Sequence, residues 1–190
     1  MDGAANRQLR NGASLLETER LRLRRWTEDD LRPFAEMNAD PVVMEFFPRT
    51  LTRGESDGLV ERIEAGFEAH GFGLWAVVVR ESGELVGLAG LNRVGFEAHF
   101  TPAVEVGWRL ARAAWGKGYA TEAGRAALAF GFDRVGLTEI VSFTTAANRR
   151  SRAVMERLGM TYDPAEDFEH PSLPPDHPQR RHVLYRVGKS

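Results

Sequence analysis

Hydrophobic residues recur along this chain with two different periods, and the points where the period changes outline its elements. Leu21 and Leu23 alternate with Arg22 and Arg24 in the two-residue rhythm of a half-buried strand, between Arg20 and Arg25. Thr27-Glu28-Asp29-Asp30 then supplies capping oxygens and first-turn acids, and Leu31, Phe34 and Met37 follow at steps of three, which predicts a short helix. Beyond Val42 to Phe47, bracketed by Pro41 and Pro48, the four-residue spacing of Leu59, Ile63 and Phe67 predicts a second helix from about Glu55 to Ala69. The rhythm then turns strand-like. Leu74 to Val79 and Leu85 to Leu91 read as a hairpin turning at Glu81-Ser82-Gly83-Glu84, with Val104 to Leu110 as a further strand.

In the second half, Gly116-Lys117-Gly118 leads into a helix that places Ala120, Ala123, Ala127 and Phe130 on one face. Ile140 to Phe143 is a short strand. Asn148 opens a last helix, where Val154, Met155 and Leu158 face inward and Gly159 is the stop signal. Tyr162 and Phe168 lie in an extended tract, Pro171, Pro174, Pro175 and Pro178 stiffen a loop, and His182 to Val187 forms the final strand. Met1 to Ser14 reads as a mobile tail. With no internal repeat and no low-complexity linker, residues 15–190 are expected to form one mixed α/β domain.

Composition narrows the chemistry. A hydrophobic content of 43% across 190 residues is enough for one sizeable core, and 25 Lys plus Arg against 27 Asp plus Glu leaves a net charge of −2. That balance argues against direct nucleic-acid binding, whose footprint is strongly basic. The absence of cysteine removes disulfides, thiolate metal sites and any acyl intermediate on an enzyme thiol. No apolar run reaches the ~20 residues needed to cross a bilayer, and Met1 to Ala13 has no hydrophobic leader segment, so a cytoplasmic protein is expected.

The stretch richest in chemical implication is Val104 to Leu110 followed by Trp115-Gly116-Lys117-Gly118-Tyr119-Ala120-Thr121. A strand runs into a glycine turn that opens a helix, so free amides of the first helical turn can face an anion, and glycine lets backbone approach a phosphate oxygen without a Cβ in the way. A tight loop with no ligand is the plain alternative. Two familiar phosphate loops do not fit. The P-loop needs glycine where Ala111 stands and Ser or Thr where Gly118 stands; the dinucleotide fingerprint needs a third small residue where Thr121 stands, early in a strand–helix–strand unit.

The segment resembles the pyrophosphate-binding motif of the GNAT superfamily of acetyl-CoA-dependent N-acetyltransferases, Gln/Arg-x-x-Gly-x-Gly/Ala, with Gly118 and Ala120 at its small positions and Trp115 in place of the usual first residue. That departure, together with Asn148-Arg149-Arg150-Ser151 and Leu158-Gly159-Met160, is similar to the branch containing the ribosomal-protein N-terminal acetyltransferases. The resemblance covers roughly Arg20 to Val187. It implies a mixed, mostly antiparallel sheet flanked by helices, acetyl-CoA as co-substrate and a primary amine as acceptor, on a protein N-terminus or a small molecule. A homodimer is compatible with the family.

The resemblance also implies residue roles. Trp108, Arg109 and Leu110 lie on the strand that pairs with the pantetheine arm, and the amides from Gly116 to Thr121 hold the pyrophosphate. Lys117 either adds charge there or is solvated. Glu105, beside the expected thioester, is the prospective base, with an edge-strand acid paired to an arginine as the alternative. Ser151 stands at the position that meets the departing sulfur, or is simply the third residue of a capped helix. Asn148 caps that helix, binds pantetheine, or does both. Arg149, Arg150 and Arg152 either neutralise the 3′-phosphate or form an exposed basic turn.

Acceptor recognition is assigned to Phe34, Met44, Phe46 and Phe47, for which core packing is the competing role. The Gly95 to Pro102 loop and the Pro171 to Pro178 tract are further candidates. His70 and His99 read as loop residues, and His182 either packs structurally or faces the acceptor. No histidine pair has helical ligand spacing, so no metal site is expected. Two other functions stay open: a non-catalytic acyl-CoA sensor with the same cradle but no productive acceptor site, and a translation-associated binding module that uses the basic patches on ribosomes.

Overall fold

The computed structural model describes residues 15–189; the proposed tail, Met1 to Ser14, lies outside them. Nine strands form one sheet: β1 (Leu15–Glu17), β2 (Leu21–Arg24), β3 (Leu74–Val79), β4 (Leu85–Arg93), β5 (Val104–Leu110), β6 (Glu139–Thr145), β7 (Thr161–Tyr162), β8 (Phe168–Glu169) and β9 (Arg181–Gly188). Their order is β1-β2-β3-β4-β5-β6-β9-β7, with β8 also on β9. Every neighbouring pair is antiparallel except β5 with β6. The expected mixed, mostly antiparallel sheet is therefore present, and one strand more than anticipated precedes Leu21, because β1 lays Leu16 beside Leu23.

Four helices complete the domain: α1 (Glu28–Ala39), α2 (Arg53–His70), α3 (Tyr119–Phe130) and α4 (Arg149–Arg157). The first two begin at reciprocal capping boxes, Thr27 with Asp30 and Thr52 with Glu55, in which each pair satisfies two otherwise orphaned donors. His70 is the last residue of α2 and not part of a loop; Gly71, at φ 76°, ends the helix after it. Val42 to Phe47 forms turns, since six residues between prolines leave no room for a stable helix. In α4 Met155 is buried while Val154 is only partly covered.

The main core lies between sheet and helices. Trp75 on β3 is fully buried, 5.4 Å from the Phe67 ring of α2 and 5.3 Å from Phe130 of α3, both edge-on. A second cluster covers the C-terminal end of the sheet, where Phe100, Val141, Phe168 and Leu184 pack with Phe96 and Phe143. Among the described residues no helix is long and apolar enough to cross a membrane.

The feature that positions the site is the junction of β5 and β6. β4 and β5 are paired along their whole length, from Gly87 with Leu110 to Arg93 with Val104. β5 and β6 share one rung, Glu105 with Val141. Beyond it the strands part, and among the described residues the β5 edge from Val106 to Leu110 has no strand partner on that side.

Candidate active site

The cradle forms at the start of α3. Gly116 and Gly118 both adopt left-handed backbone, at φ 75° and 80°, a region that residues with a Cβ occupy only at a cost of about 1–2 kcal/mol. Among the described residues no side chain caps the helix, and its first internal bond runs from the Glu122 amide to the Gly118 carbonyl. The amides of Tyr119, Ala120 and Thr121 are thus the orphaned donors of a helix N-terminus, facing outward with the positive end of its dipole. Lys117 is exposed. Trp115 is held from behind: its indole N–H donates to the Leu110 carbonyl at 2.8 Å, tying the loop to the end of β5.

Alternation along β5 divides its residues. Val106 and Leu110 are buried in the main core, and Trp108 packs partly against it. Glu105, Gly107 and Arg109 point to the other face. A Cβ on Gly107 would meet nothing within 4 Å, so the strand has open space between an acid and a base. Glu105 sits on the last shared rung of β5 and β6, accepting a 3.1 Å hydrogen bond from Asn92 Nδ2 on β4. Burial raises its pKa to about 7, against a smaller downward pull from that bond. No arginine pairs with it among the described residues, so the ion-paired alternative does not describe this carboxylate.

Arg109 turns its side chain to α1 and the loop after it. Nη1 donates to Asn38 Oδ1 at 2.7 Å, and the guanidinium lies 4.1 Å from the centre of the Phe47 ring. Asn38 is itself fixed, its Nδ2 donating to Ser56 Oγ at 2.9 Å inside the protein. The Nε atom of Arg109 is buried with no hydrogen-bond partner among the described residues, and burial lowers the pKa of the group to about 10.

Across the gap stands α4. Asn148 caps it: Oδ1 accepts from the Ser151 amide at 3.2 Å and Nδ2 donates to Thr144 Oγ1 at 3.0 Å. The Ser151 hydroxyl has no hydrogen-bond partner among the described residues and is half-exposed. Arg150 bridges the opening. Its guanidinium lies 4.3 Å from the Trp115 ring on the cradle side, and it pairs with Glu45 at 2.8 Å on the loop after α1. Arg152 instead donates to Tyr185 Oη and the Ala146 carbonyl and lies over Tyr162, so none of its polar contacts is on the cradle. Arg149 is exposed.

The four residues nominated for acceptor contact divide into two pairs. Phe34 has no exposed surface and packs against Trp26 with ring centres 4.5 Å apart, and Met44 is 4% exposed; both serve the core instead of a pocket wall. Phe46 and Phe47 are half-exposed and meet Arg150 and Arg109. The sequence places His182 ambiguously. In the structure it is buried on β9 beside Phe143, Phe168 and His170, with Nδ1 3.1 Å from the Arg180 carbonyl.

A domain model described as "Acetyltransferase (GNAT) domain" matches residues 20–161, well over half the chain. The chain belongs to the GNAT acetyltransferase family. It is 29% identical over 153 residues to the uncharacterized protein YkkB of Bacillus subtilis, covering 80% of this chain and 88% of that one. It is 33% identical over 134 residues to the FsC-acetyl coenzyme A-N(2)-transacetylase of Aspergillus fumigatus, covering 67% of this chain and just over half, 56%, of that relative. Among solved structures, an acetyltransferase from Agrobacterium tumefaciens superposes with a TM-score of 0.74 at 29% identity, covering 92% and 94% of the two chains. A ribosomal L7/L12 α-N-protein acetyltransferase in complex with coenzyme A shares the fold, with a TM-score of 0.73 at 15% identity.

GNAT membership makes this an acyltransferase that uses acetyl-CoA, and the geometry fits the co-substrate. Uncapped amides and left-handed glycines suit a pyrophosphate, and the unpaired β5 edge offers backbone groups to the amides of a pantetheine arm. Sequence reasoning missed the groups that hold this acetyltransferase site in shape. Arg20 reaches over the Tyr119 ring, donates to the Lys117 carbonyl and binds Glu122, which also accepts from Thr18 and from the Arg20 amide. These bonds span about a hundred residues of chain, so nothing local signals them. Asn38, Ser56 and Asn92 are equally silent in the sequence, because their role depends on the cross-strand register and on how α1 meets the sheet.

Proposed function

We propose that this acetyltransferase moves the acetyl group from acetyl-CoA directly to a primary amine, with Glu105 as base and Ser151 as the group that meets the departing sulfur. One observation carries the reading: an unpaired carboxylate whose pKa lies near neutrality sits on the last rung before β5 and β6 separate. The amine nitrogen bonds to the thioester carbon as the carbon–sulfur bond breaks. Glu105 removes the amine proton, directly or through one water, and the thiolate is protonated from the Ser151 side. With no cysteine in the chain, no enzyme thiol can carry the acetyl group, which favours direct attack. Two similar proteins point to nitrogen as acceptor, one named for N(2) transacetylation and one for α-N acetylation.

The test is thiol release from acetyl-CoA across a panel of amines and peptide N-termini. Amine-dependent release with a mass gain on the amine supports direct transfer. Tight CoA binding with no amine-dependent release on any acceptor supports the sensor reading in its place.

A further inference from the structure

Arg109 is an anomaly in a folded chain. A buried arginine is ordinarily matched by a carboxylate, since desolvating a guanidinium is costly. Here its only hydrogen-bond partner is a neutral amide oxygen, Asn38 Oδ1, and no acid forms an ion pair with it among the described residues. Nε and Nη2 have no hydrogen-bond partner among the described residues, and Nε is buried. Those two N–H bonds share one edge of the guanidinium, the edge that receives both oxygens of a carboxylate. The neighbours keep the group in place. Ser56 fixes Asn38, Asn38 fixes Nη1, and the Phe47 ring lies over the guanidinium plane.

The acid on the same face is also uncompensated. Glu105 and Arg109 lie four residues apart on β5, about 14 Å between Cα atoms at ~3.4 Å per residue, with open space above Gly107 between them. Neither neutralises the other. Such an arrangement is the electrostatic complement of a molecule with an ammonium at one end and a carboxylate at the other.

We propose that the acceptor is an amine that carries a carboxylate, with its amine at Glu105 and its carboxylate on the Nε–Nη2 edge of Arg109. The assignment rests on the direct-transfer reading above and adds a substrate class to it. The chemistry it selects is that of amino acids and short peptides with a free C-terminus. Phe47, on the loop after α1, covers the carboxylate end. Arg109 thereby sets specificity, and the group it recognises takes no part in bond making.

The experiment compares matched acceptors, linear amino carboxylates of increasing length and short peptides, each against its own carboxamide. The wild type should prefer the carboxylate of the best-fitting pair by about tenfold to a hundredfold in kcat/KM, mostly through KM, because the amide leaves the fork of Arg109 without its anion. Arg109→Gln should abolish that preference, and Arg109→Lys should keep part of it, since a lysine retains charge without the fork. Equal use of carboxylates and carboxamides by the wild type overturns the proposal, and so does a preference that survives in Arg109→Gln.

A second measurement needs neither turnover nor a variant. The Nε–Hε resonance of Arg109 is followed by NMR in the wild type while the amino carboxylates, then their carboxamides, are titrated in. A saturable downfield shift with carboxylates alone supports the fork; no shift with any of them refutes it. If no amine accelerates thiol release at all, the direct-transfer reading fails, while this titration still decides the carboxylate site.

Discussion

Replacing Glu105 with Gln keeps the size of the side chain and removes its ability to accept a proton. With a pKa of about 7, the carboxylate is about one-tenth ionised at pH 6 and about nine-tenths at pH 8, so a rate that depends on it rises about tenfold over that interval and then levels. A positioned general base is worth about 10²–10⁴ in rate. The ratio of wild-type to Glu105→Gln kcat/KM should therefore reach that range above pH 8 and shrink about tenfold by pH 6. Titration of the acceptor amine itself cancels from the ratio. The assay is thiol release with a thiol-reactive dye, which is clean because the chain has no cysteine of its own to react. CoA affinity should stay within about twofold, since the carboxylate lies away from the cradle.

The same carboxylate gives an independent reading through stability. Its pKa is 4.5 in the unfolded chain and about 7 in the fold, so between those values the native state holds a proton that the unfolded state has lost. Stability from this group is complete below about pH 4.5 and is lost as the pH rises through 7, by at most about 3–4 kcal/mol at 1.36 kcal/mol per pH unit. Urea unfolding should show Glu105→Gln gaining on the wild type by roughly 2–3 kcal/mol between pH 5 and pH 8. A rate ratio that is flat and near one from pH 6 to 9 refutes the base assignment. A stability difference that does not change with pH refutes the burial argument beneath it.

Three further outcomes test other parts of the site. Gly118→Val forces a β-branched residue into backbone at φ 80° and should raise the Kd for CoA at least about tenfold by calorimetry; unchanged affinity in a folded variant removes Gly118 from the cradle. Ser151→Ala should leave the melting temperature intact, since the hydroxyl makes no hydrogen bond among the described residues, and slow turnover by about 10²-fold, the low end for proton transfer because a thiolate of pKa ~8.5 already leaves readily; a full-speed variant gives the thiolate's proton another source. Burial depresses the pKa of His182, and burial with the nearby His182 depresses that of His170, so below about pH 6.5 the unfolded chain takes up protons that the fold refuses. Stability should fall as pH drops through that region, and His182→Gln should soften the fall in thermal melts between pH 7.5 and pH 5; an identical slope in the variant places the acid sensitivity elsewhere.

Much of the local geometry of this candidate site was legible in the sequence because its signals are short-range. Gly116 and Gly118 mark a turn that only glycine takes without strain, and Asn148 with Ser151 three residues on is a cap by composition alone. The alternation in Val104 to Leu110 also separates the core side of β5 from the side carrying Glu105 and Arg109. What the sequence could not show is the company each residue keeps. Phe34 and Phe47 look alike as aromatic residues near a proline-bounded segment, yet one lies against Trp26 in the core and the other over Arg109. Arg150 and Arg152 sit two apart on one helical turn, and the ~200° between them sends one to Trp115 and the other to Tyr185. Arg20 pairs with Glu122 only because β2 and the start of α3 meet in space.

On the proposed reading, Arg109 and Glu105 mark where the fold gives up stability for chemistry. An apolar residue at either position would spare the fold an uncompensated charge, and such replacements of buried ionic groups are often neutral or stabilising. The two groups stand on one strand with a glycine and open space between them. Occupancy by a ligand of opposite polarity resolves both costs together: the ammonium compensates Glu105 and the carboxylate compensates Arg109. A zwitterionic acceptor should therefore stabilise the protein more than its amide or its N-acetyl product does. On that reading the product has lost the ammonium and keeps only the Arg109 contact, so it binds more weakly than the acceptor and its release is eased.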